Sequence, residues 1–320
     1  MMKYYLSLDS GGTKVAAVLY GEDLSRRSAA VCGSLRRNTT PAGLVKAHAM
    51  ELIDKLGVRG MRIEALYGTF EPYAAEELSK VCEIGEIKVT GELDMGLSAA
   101  GIFGDGILAL CGTGSTVFAR LKGNAYATGG YGAAVSDEGS GYWIGRQAFI
   151  AAIRDSEGRG PRTSLTDAIP EKLGFGGRDR LREAVFSIYR DDKRSPTASV
   201  ASFTPTVADE AERGDAVARG IMEESASLIS AQLSYLCKRY EIPDDIPLTL
   251  SGSVWRGNPV FTRAFLNEIG NRPVIIPKLE PVLGAPAKHR YIQTGSFSDE
   301  DAVKLAADYP EFAYDVNRKK

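Results

Sequence analysis

Two short runs combine glycine with hydroxyl and charged side chains in a pattern that suits phosphate binding. The first is Asp9–Lys14 and the second is Gly112–Thr116. Glycine tolerates positive φ angles, which can aim successive backbone N–H groups into one concavity that fits phosphate oxygens. Thr13 and Ser115 add hydroxyl donors, and Lys14 adds a positive charge. For either run alone, a plain hairpin turn is the alternative interpretation.

Both runs lie between apolar segments rather than before a helix. Tyr4–Leu8 and Val15–Tyr20 flank the first run, and Gly106–Leu110 and Val117–Leu121 flank the second. Two strand-like segments around a glycine-rich turn predict a β-hairpin. The Walker string G-x-x-x-x-G-K-[ST], which would lead into a helix, does not occur in the sequence.

The two hairpins are similar to each other. A shift of 102 positions superposes Leu6 on Leu108, Leu8 on Leu110, Gly12 on Gly114, Val15 on Val117, Ala17 on Ala119 and Leu19 on Leu121. Alternating apolar residues are common to all hairpins, but equivalent glycine and hydroxyl positions in the turns favour duplication. The sequence therefore predicts two similar halves with a cleft between them.

A third run, Gly129–Gly145, is dense in glycine. Each glycine raises the entropic cost of ordering the chain, so we expect a ligand or another backbone to approach it closely. Asp137 and Glu138 precede a predicted helix, where a carboxylate can cap the helix, contact a ligand, or do both. Trp143 and Ile144 are expected to pack in the core.

Elements elsewhere follow from apolar periodicity and from glycine or proline breaks. Helices are predicted at Pro41–Leu56, Gly141–Arg154, Leu173–Tyr189, Phe203–Glu212, Ala216–Arg239 and Pro259–Ile269. Strands are predicted at Ile63–Tyr67, Ile84–Val89 and Pro247–Leu250. For Asp299–Lys320 the pattern leaves open whether the segment docks on the first half or frays.

Composition narrows the class of protein. At 320 residues, with 44% hydrophobic and 25% charged residues, two globular domains are expected. A net charge of -2 gives no reason to expect a nucleic-acid or membrane partner, and no signal peptide or membrane span is predicted, so we expect a cytoplasmic protein. The four cysteines are scattered and are expected to be reduced thiols. With two distant histidines, no histidine metal site is expected.

Four strings together resemble a known family. They are Asp9–Thr13, Gly112–Ser115, the run from Gly130 through Asp137 to Ile144, and Ser251–Trp255. In this order, from about Tyr4 to Gly284, they resemble the N-acetylglucosamine kinases of the BadF/BadG/BcrA/BcrD branch of the actin/hexokinase/Hsp70 superfamily. The third string is the most specific, since many superfamily relatives share the hairpins.

The resemblance implies an α/β fold of two actin-like ATPase domains (ribonuclease H-like), each with a mixed β-sheet. We place the N-terminal domain at residues 1–108 plus 281–320, with the C-terminal segment returning to it. The second domain is placed at residues 109–280. The resemblance also implies a homodimer, with ATP and Mg²⁺ as cofactors.

The resemblance assigns roles to individual residues. Asp9 would position Mg²⁺ through water. Phosphate and adenosine contacts would come from the loop positions Gly11, Gly12, Thr13, Lys14, Gly112, Thr113, Gly114, Ser115, Gly252 and Ser253. Sugar contacts would come from Asn38, Gly130, Tyr131, Gly132 and Asp137.

The catalytic base of the family is a carboxylate that follows a strand and precedes the second phosphate loop. Asp94 matches it by residue type and by the small-residue helix that follows. Glu92 matches better by its distance from the end of the strand. We take Asp94 as the first candidate and Glu92 as the second; the alternative for either is a solvated carboxylate at a helix start.

Three positions depart from the family pattern. Thr116 replaces an asparagine, Tyr131 stands where mammalian relatives carry tryptophan, and Gly68–Glu71 replaces a Ser/Gly-rich segment that shapes the sugar pocket. A hexose pocket depends on hydrogen bonds to hydroxyls, so these changes leave the acceptor open between amino sugars such as N-acetylglucosamine and glucosamine. Two other interpretations remain: an ATPase that activates a dehydratase or reductase partner, and a catalytically silent sugar sensor.

Overall fold

The computed structural model describes residues 2–37, 40–191 and 194–317. The chain divides into two compact units, Met1–Leu108 with Ile275–Asp315 and Ala109–Val274 with Val316–Lys320. The predicted domain boundaries, 1–108 with 281–320 and 109–280, stay a prediction. No helix within the described ranges is long and apolar enough to cross a bilayer.

In the described residues, the strands form two five-stranded sheets, ordered β3-β2-β1-β4-β5 and β10-β9-β6-β7-β8. The strands are β1 (Tyr4–Ser10), β2 (Lys14–Gly21), β3 (Arg26–Gly33), β4 (Arg62–Thr69), β5 (Glu83–Val89), β6 (Gly106–Cys111), β7 (Ser115–Leu121), β8 (Asn124–Gly129), β9 (Leu248–Ser251) and β10 (Val274–Ile275). The first sheet is mixed, because β1 pairs antiparallel with β2 and parallel with β4.

Read from β3 and from β8, the two sheets use their strands in the same order. In each sheet the first strand of the unit is central, and the second and third strands lie on one side of it. The fourth and fifth strands lie on its other side. The hairpin repeat found in the sequence therefore extends to the topology of both whole sheets.

The helices cover the sheets of each unit. They are α1 (Ala42–Leu56), α2 (Pro72–Ser79), α3 (Glu92–Ala99), α4 (Gly141–Ser156), α5 (Leu165–Lys172), α6 (Leu181–Ser187), α7 (Pro196–Ala201), α8 (Thr204–Glu212), α9 (Ala216–Tyr240), α10 (Pro259–Glu268), α11 (Gly284–Thr294) and α12 (Asp299–Asp308). Side-chain caps start several of them; Ser140, Asp215 and Asn258 accept backbone N–H groups at α4, α9 and α10.

Strand β2 shows how the first sheet is buried on both faces. Val15, Ala17 and Leu19 pack with α1 and α2 on one side. On the other side, the alternate residues Ala16, Val18 and Tyr20 pack against a C-terminal group that includes Leu279, Val282, Leu283, Tyr309 and Phe312. Because side chains alternate along a strand, one apolar run serves two cores. The C-terminal segment thus docks on the first unit rather than fraying.

The predicted helix Leu173–Tyr189 is wrong. Helix α5 ends at Lys172 and α6 begins at Leu181. Between them Gly174 and Gly176 adopt φ angles of 78° and 84°, which an α-helix cannot accommodate. The predicted range therefore holds the shorter helix α6, which begins only after these glycines.

Candidate active site

The first unit carries the Asp9–Lys14 turn at the end of β1. Ser10 pairs with Val15 across the hairpin, and the Gly11 N–H donates to the Lys14 carbonyl at 2.8 Å. A Cβ at Gly12 would meet nothing within 4 Å, and Thr13 is exposed, so the turn faces open space. The Lys14 ammonium lies 3.1 Å from a carboxylate oxygen of Glu280, a buried residue. Its positive charge is therefore engaged by a carboxylate.

Asp9 is half-buried and is the next-to-last residue of β1, where the Asp9–Lys14 run begins. Burial is the main cause that raises its pKa to about 6, and repulsion from Glu92 and Glu280 adds to it. The cations of Lys14 and Arg36 oppose the shift without cancelling it. Asp9 thus belongs to a group of side chains in which negative charge exceeds positive charge.

The two candidate bases lie in the first turn of α3, where the helix dipole favours negative charge. Glu92 accepts from the Arg36 guanidinium at 3.1 Å, and Arg36 also donates to the Ser10 carbonyl. Asp94 accepts from the Lys288 ammonium at 2.5 Å. Both carboxylates are half-buried, and each has a cation from a distant part of the first unit.

The second unit carries the Gly112–Thr116 turn against the start of α4. The Gly141 N–H donates to the Gly112 carbonyl at 2.8 Å, and the Tyr142 N–H donates to the Thr113 carbonyl at 3.1 Å. The Ser115 hydroxyl donates to the Glu138 carbonyl at 2.8 Å. The hydroxyl predicted to contact phosphate is therefore engaged by a backbone carbonyl within the second unit.

The loop after β9 packs on the same turn. Gly252 has a φ of 101°, and a Cβ on it would lie 2.2 Å from the Cys111 carbonyl oxygen. The Val254 N–H donates to that oxygen at 3.0 Å. Only glycine fits at this position, because the backbones of two loops touch there.

A pocket of about 270 Å³ adjoins this loop within the second unit. Its lining includes Ser202, Thr204, Pro205, Ser253, Arg256 and Asn258. The Thr204 hydroxyl donates to the Gly141 carbonyl at 3.2 Å. Because Gly141 also bonds to Gly112, the pocket wall and the glycine turn are joined through one residue.

The predicted sugar-side loop reaches the same turn through Asp137. Asp137 is buried with a φ of 58°, and its Oδ1 accepts from the Gly132 N–H at 3.2 Å. A Cβ on Gly114 would lie 2.6 Å from Asp137 Oδ2. Ser140, not Asp137, caps α4. Gly130 is exposed and Tyr131 is 81% exposed, while Asn38 lies outside the described residues.

Several residues of these sites were missed by sequence reasoning. Lys288, Glu280 and Arg36 supply the counter-charges of the first unit, and Thr204 and Asn258 line the pocket of the second. Lys288 and Asp94 are 194 positions apart, so no local spacing pattern can connect them.

Mg²⁺ fits the acidic group around Asp9. Ser10 Oγ beside it is buried with no hydrogen-bond partner among the described residues, and the excess of carboxylates favours a cation. No set of three or more His, Cys, Asp or Glu side chains in the described residues forms a metal cage. A hard cation that keeps several of its waters needs only one or two carboxylates, so Asp9 is the residue that would hold it.

Solved structures establish the class of fold. A candidate N-acetylglucosamine kinase from Chromobacterium violaceum superposes with a TM-score of 0.68 at 21% identity, covering 89% of this chain and 98% of that chain. A ROK family glucokinase from Streptomyces griseus, solved with glucose and AMPPNP, gives a TM-score of 0.56 at 16% identity, covering 90% and 98%. The predicted actin-like ATPase fold class is confirmed.

The sequence profile of the BadF/BadG/BcrA/BcrD ATPase family matches residues 6–286, and the chain belongs to that family. The N-acetylmuramic acid/N-acetylglucosamine kinase of Clostridium acetobutylicum is 29% identical over 238 residues, which cover 70% of this chain and 76% of the relative. The N-acetyl-D-glucosamine kinase of Dictyostelium discoideum is 26% identical over 172 residues, which cover 53% and 51%.

Proposed function

We propose that this protein is an ATP-dependent kinase that transfers the γ-phosphate to a hydroxyl of an amino sugar such as N-acetylglucosamine or glucosamine. The observation that carries the proposal is Gly141 in the second unit, which is hydrogen-bonded both to the glycine turn and to the wall of a pocket of about 270 Å³. The proposal places the phosphates of ATP at the turn and its base in the pocket. The names of the two relatives, both kinases of N-acetylated amino sugars, support the choice of acceptor.

ATP is bound in this proposal by backbone rather than by side-chain charge. The turns Gly11–Lys14 and Gly112–Ser115 line the phosphates, and Gly252 and Ser253 border the adenosine. The N–H groups of Gly11 and Gly112 bond within their own turns, so the proposal assigns the phosphate contacts to the backbone at Gly12, Thr13, Thr113 and Gly114. The paired Lys14 and the engaged Ser115 hydroxyl leave the main chain as the principal donor. Fixed backbone dipoles stabilise developing charge without rearrangement during the reaction.

The transfer step needs one proton acceptor. The acceptor hydroxyl oxygen forms a bond to the γ-phosphorus, the bond to the β–γ bridging oxygen breaks with its electron pair leaving on ADP, and the hydroxyl proton passes to a carboxylate. Asp94 is the first candidate for that carboxylate and Glu92 the second. Mg²⁺, when bound near Asp9, neutralises phosphate charge.

The sugar is recognised in this proposal by Asn38, Gly130, Tyr131, Gly132 and Asp137. Asp137 is suited to a hydroxyl because its buried carboxylate is already oriented by the Gly132 N–H. The exposed ring of Tyr131 offers an apolar face to a sugar ring or an acetyl group.

The proposal also includes a cytoplasmic homodimer without a nucleic-acid or membrane partner.

The activator alternative is less favoured by the placement of the thiols. Such activators hold an iron–sulphur cluster with cysteines, whereas Cys32, Cys82 and Cys111 are buried in the protein. Burial raises the pKa of the Cys111 thiol far above its usual range, and its Sγ donates to the Gly139 carbonyl. A thiol of this kind is a packing group rather than a metal ligand. A silent sensor would share the ligand contacts but not the turnover.

The proposal is tested by measuring ADP release with a panel of hexoses and amino sugars. We expect release to depend on the acceptor and to be largest with an amino sugar. Asp94→Asn is expected to lower kcat about 10²–10⁴-fold, the range for loss of a general base, while ATP affinity measured by calorimetry is retained.

Glu92→Gln is the matched variant in the same helix turn. If Asp94 is the base, Glu92→Gln loses much less activity; the reverse ranking would make Glu92 the base. Hydrolysis that is equally fast without any acceptor would refute the kinase. Binding of sugar and ATP with no turnover would instead identify the sensor.

A further inference from the structure

Helix α11 meets the first turn of α3 through two residues of one face. Gly284, at the start of α11, is buried, and a Cβ on it would lie 2.2 Å from the Met95 carbonyl oxygen. The backbones of the two helices are therefore in contact. Lys288 lies four residues later on the same face of α11. Its ammonium reaches Asp94 with an Nζ–Oδ2 distance of 2.5 Å.

The close contact makes this ion pair different from an ordinary surface pair. The side chain of Asp94 is 27% exposed and that of Lys288 is 43% exposed, so solvent screens the pair only in part. The contact at Gly284 already fixes the spacing between α11 and α3. Formation of the Lys288–Asp94 pair therefore does not have to bring the two helices together. A pair between elements already held together costs less side-chain entropy than a free surface pair.

We propose that Lys288 is a positioning residue for the transfer reaction, holding the Asp94 carboxylate in the orientation that accepts the proton of the sugar hydroxyl. This inference rests on the proposed function. Lys288 touches Asp94 and is not assigned a contact with substrate or ATP. It acts through the carboxylate, and α11 brings it to α3 from the C-terminal segment.

A cation beside a base weakens the base, so the benefit has to come from geometry. In phosphoryl transfer the transition state is loose and the attacking oxygen carries little extra charge, so proton transfer demands little base strength. Alignment of the reacting groups contributes more than basicity in such a step. A lysine that holds the carboxylate in place is therefore favourable overall.

The test replaces Lys288 with methionine, which keeps the length of the side chain and removes its charge. Lys288→Met is expected to lower kcat about 10–100-fold while KM for ATP changes less than about twofold. Lys288→Arg, which retains a cation, is expected to recover most of the loss. In an Asp94→Asn background, Lys288→Met should add less than about a twofold further loss, because the group it positions is gone.

Lys80→Met is the matched control. Lys80 also pairs with a carboxylate at 2.5 Å, that of Glu77 in α2, but its side chain is 64% exposed. We expect wild-type kcat for this variant. An unchanged kcat for Lys288→Met, an equal loss in Lys80→Met, or independent losses that multiply in the Asp94→Asn background would each overturn the proposal.

A second measurement separates this proposal from the proposed function. Urea unfolding midpoints of Lys288→Met, Asp94→Asn and the double variant require no turnover. Coupling predicts that the double variant has nearly the midpoint of Lys288→Met alone; additive shifts would overturn the hold on Asp94. If the wild type phosphorylates no acceptor, the kinase proposal fails, and the midpoints still decide whether Lys288 holds Asp94.

Discussion

The carboxyl group of Asp9 is kept in surroundings that disfavour its charged form. Burial and the neighbouring Glu92 and Glu280 raise its pKa to about 6, whereas the ordinary value is 3.8. The folded state therefore binds this proton more tightly than the unfolded state does. As pH rises from about 4 to about 6, the Asp9 carboxyl ionises in the unfolded chain first, and the stability that the bound proton provides is lost.

The variant Asp9→Asn tests whether the pKa of Asp9 is raised in the folded protein. Relative to wild type, Asp9→Asn should gain stability as pH rises from 4 to 7, by as much as about 3 kcal/mol, which corresponds to a shift of about two pKa units. Urea unfolding with a chelator present measures the difference at each pH. Asp23→Asn is the control with the opposite sign, because hydrogen bonds from Ser25 lower the pKa of Asp23. A difference for Asp9→Asn that does not change with pH would contradict the assignment.

At the scale of elements, the sequence predicts best where both the pattern and the turn residues agree. The β1–β2 and β6–β7 hairpins were predicted because apolar strands bracket glycine turns. Strand β3 was not predicted. It begins with Arg26 and Arg27 and lies at the edge of its sheet, so several of its residues are exposed and its apolar pattern is weak. The Leu173–Tyr189 prediction failed because the glycines near position 175 interrupt a helical pattern. Counter-charges such as Lys288 could not be predicted from the sequence, because the fold brings them to α3 from a distant part of the chain.

The contact of Gly252 with Cys111 gives a prediction about a single loop. Gly252→Ala forces a side chain into a φ of 101° and against a backbone oxygen, so we expect a loss of about 2–4 kcal/mol in stability and weaker ATP binding. Gly220→Ala is the control, because Gly220 is exposed within α9 and a Cβ there meets nothing within 4 Å. That variant should be more stable than wild type by about 0.5–1 kcal/mol. Thermal unfolding compares the two; equal effects would contradict the prediction.

At the scale of the whole molecule, the first unit is built from both ends of the chain. Residues 1–108 supply the sheet, and the segment from 275 to 315 covers one face of it. The side chains of Ala16, Val18 and Tyr20 would be exposed to solvent without the C-terminal residues that cover them, which include Leu283, Tyr309 and Phe312. The similarity of the two hairpins in the sequence predicted two similar halves, in agreement with the repeated strand order. The return of the C-terminal segment to the first unit was implied only by the family resemblance.

A fragment of residues 1–105 should therefore fail to form the cooperative fold of the first unit. We expect it to bind a hydrophobic dye and to lack a sharp thermal transition, because one face of its sheet is uncovered. Joining residues 276–317 to it through a flexible linker should restore a cooperative transition. A sharp transition in residues 1–105 alone would show that the C-terminal segment is dispensable for that core.

The split of the first unit also affects folding during protein synthesis. Residues 109–274, which make up nearly all of the second unit, leave the ribosome before the last helices of the first unit exist. At about 5–20 residues per second, the N-terminal sheet waits about 10–40 s for Phe312. During that interval Val18 and Tyr20 face solvent or a chaperone. Asp94 on α3 receives Lys288 only when synthesis is nearly complete. In the proposed mechanism, a chain that ends before residue 288 would therefore carry the glycine turn of the second unit but no lysine to position Asp94.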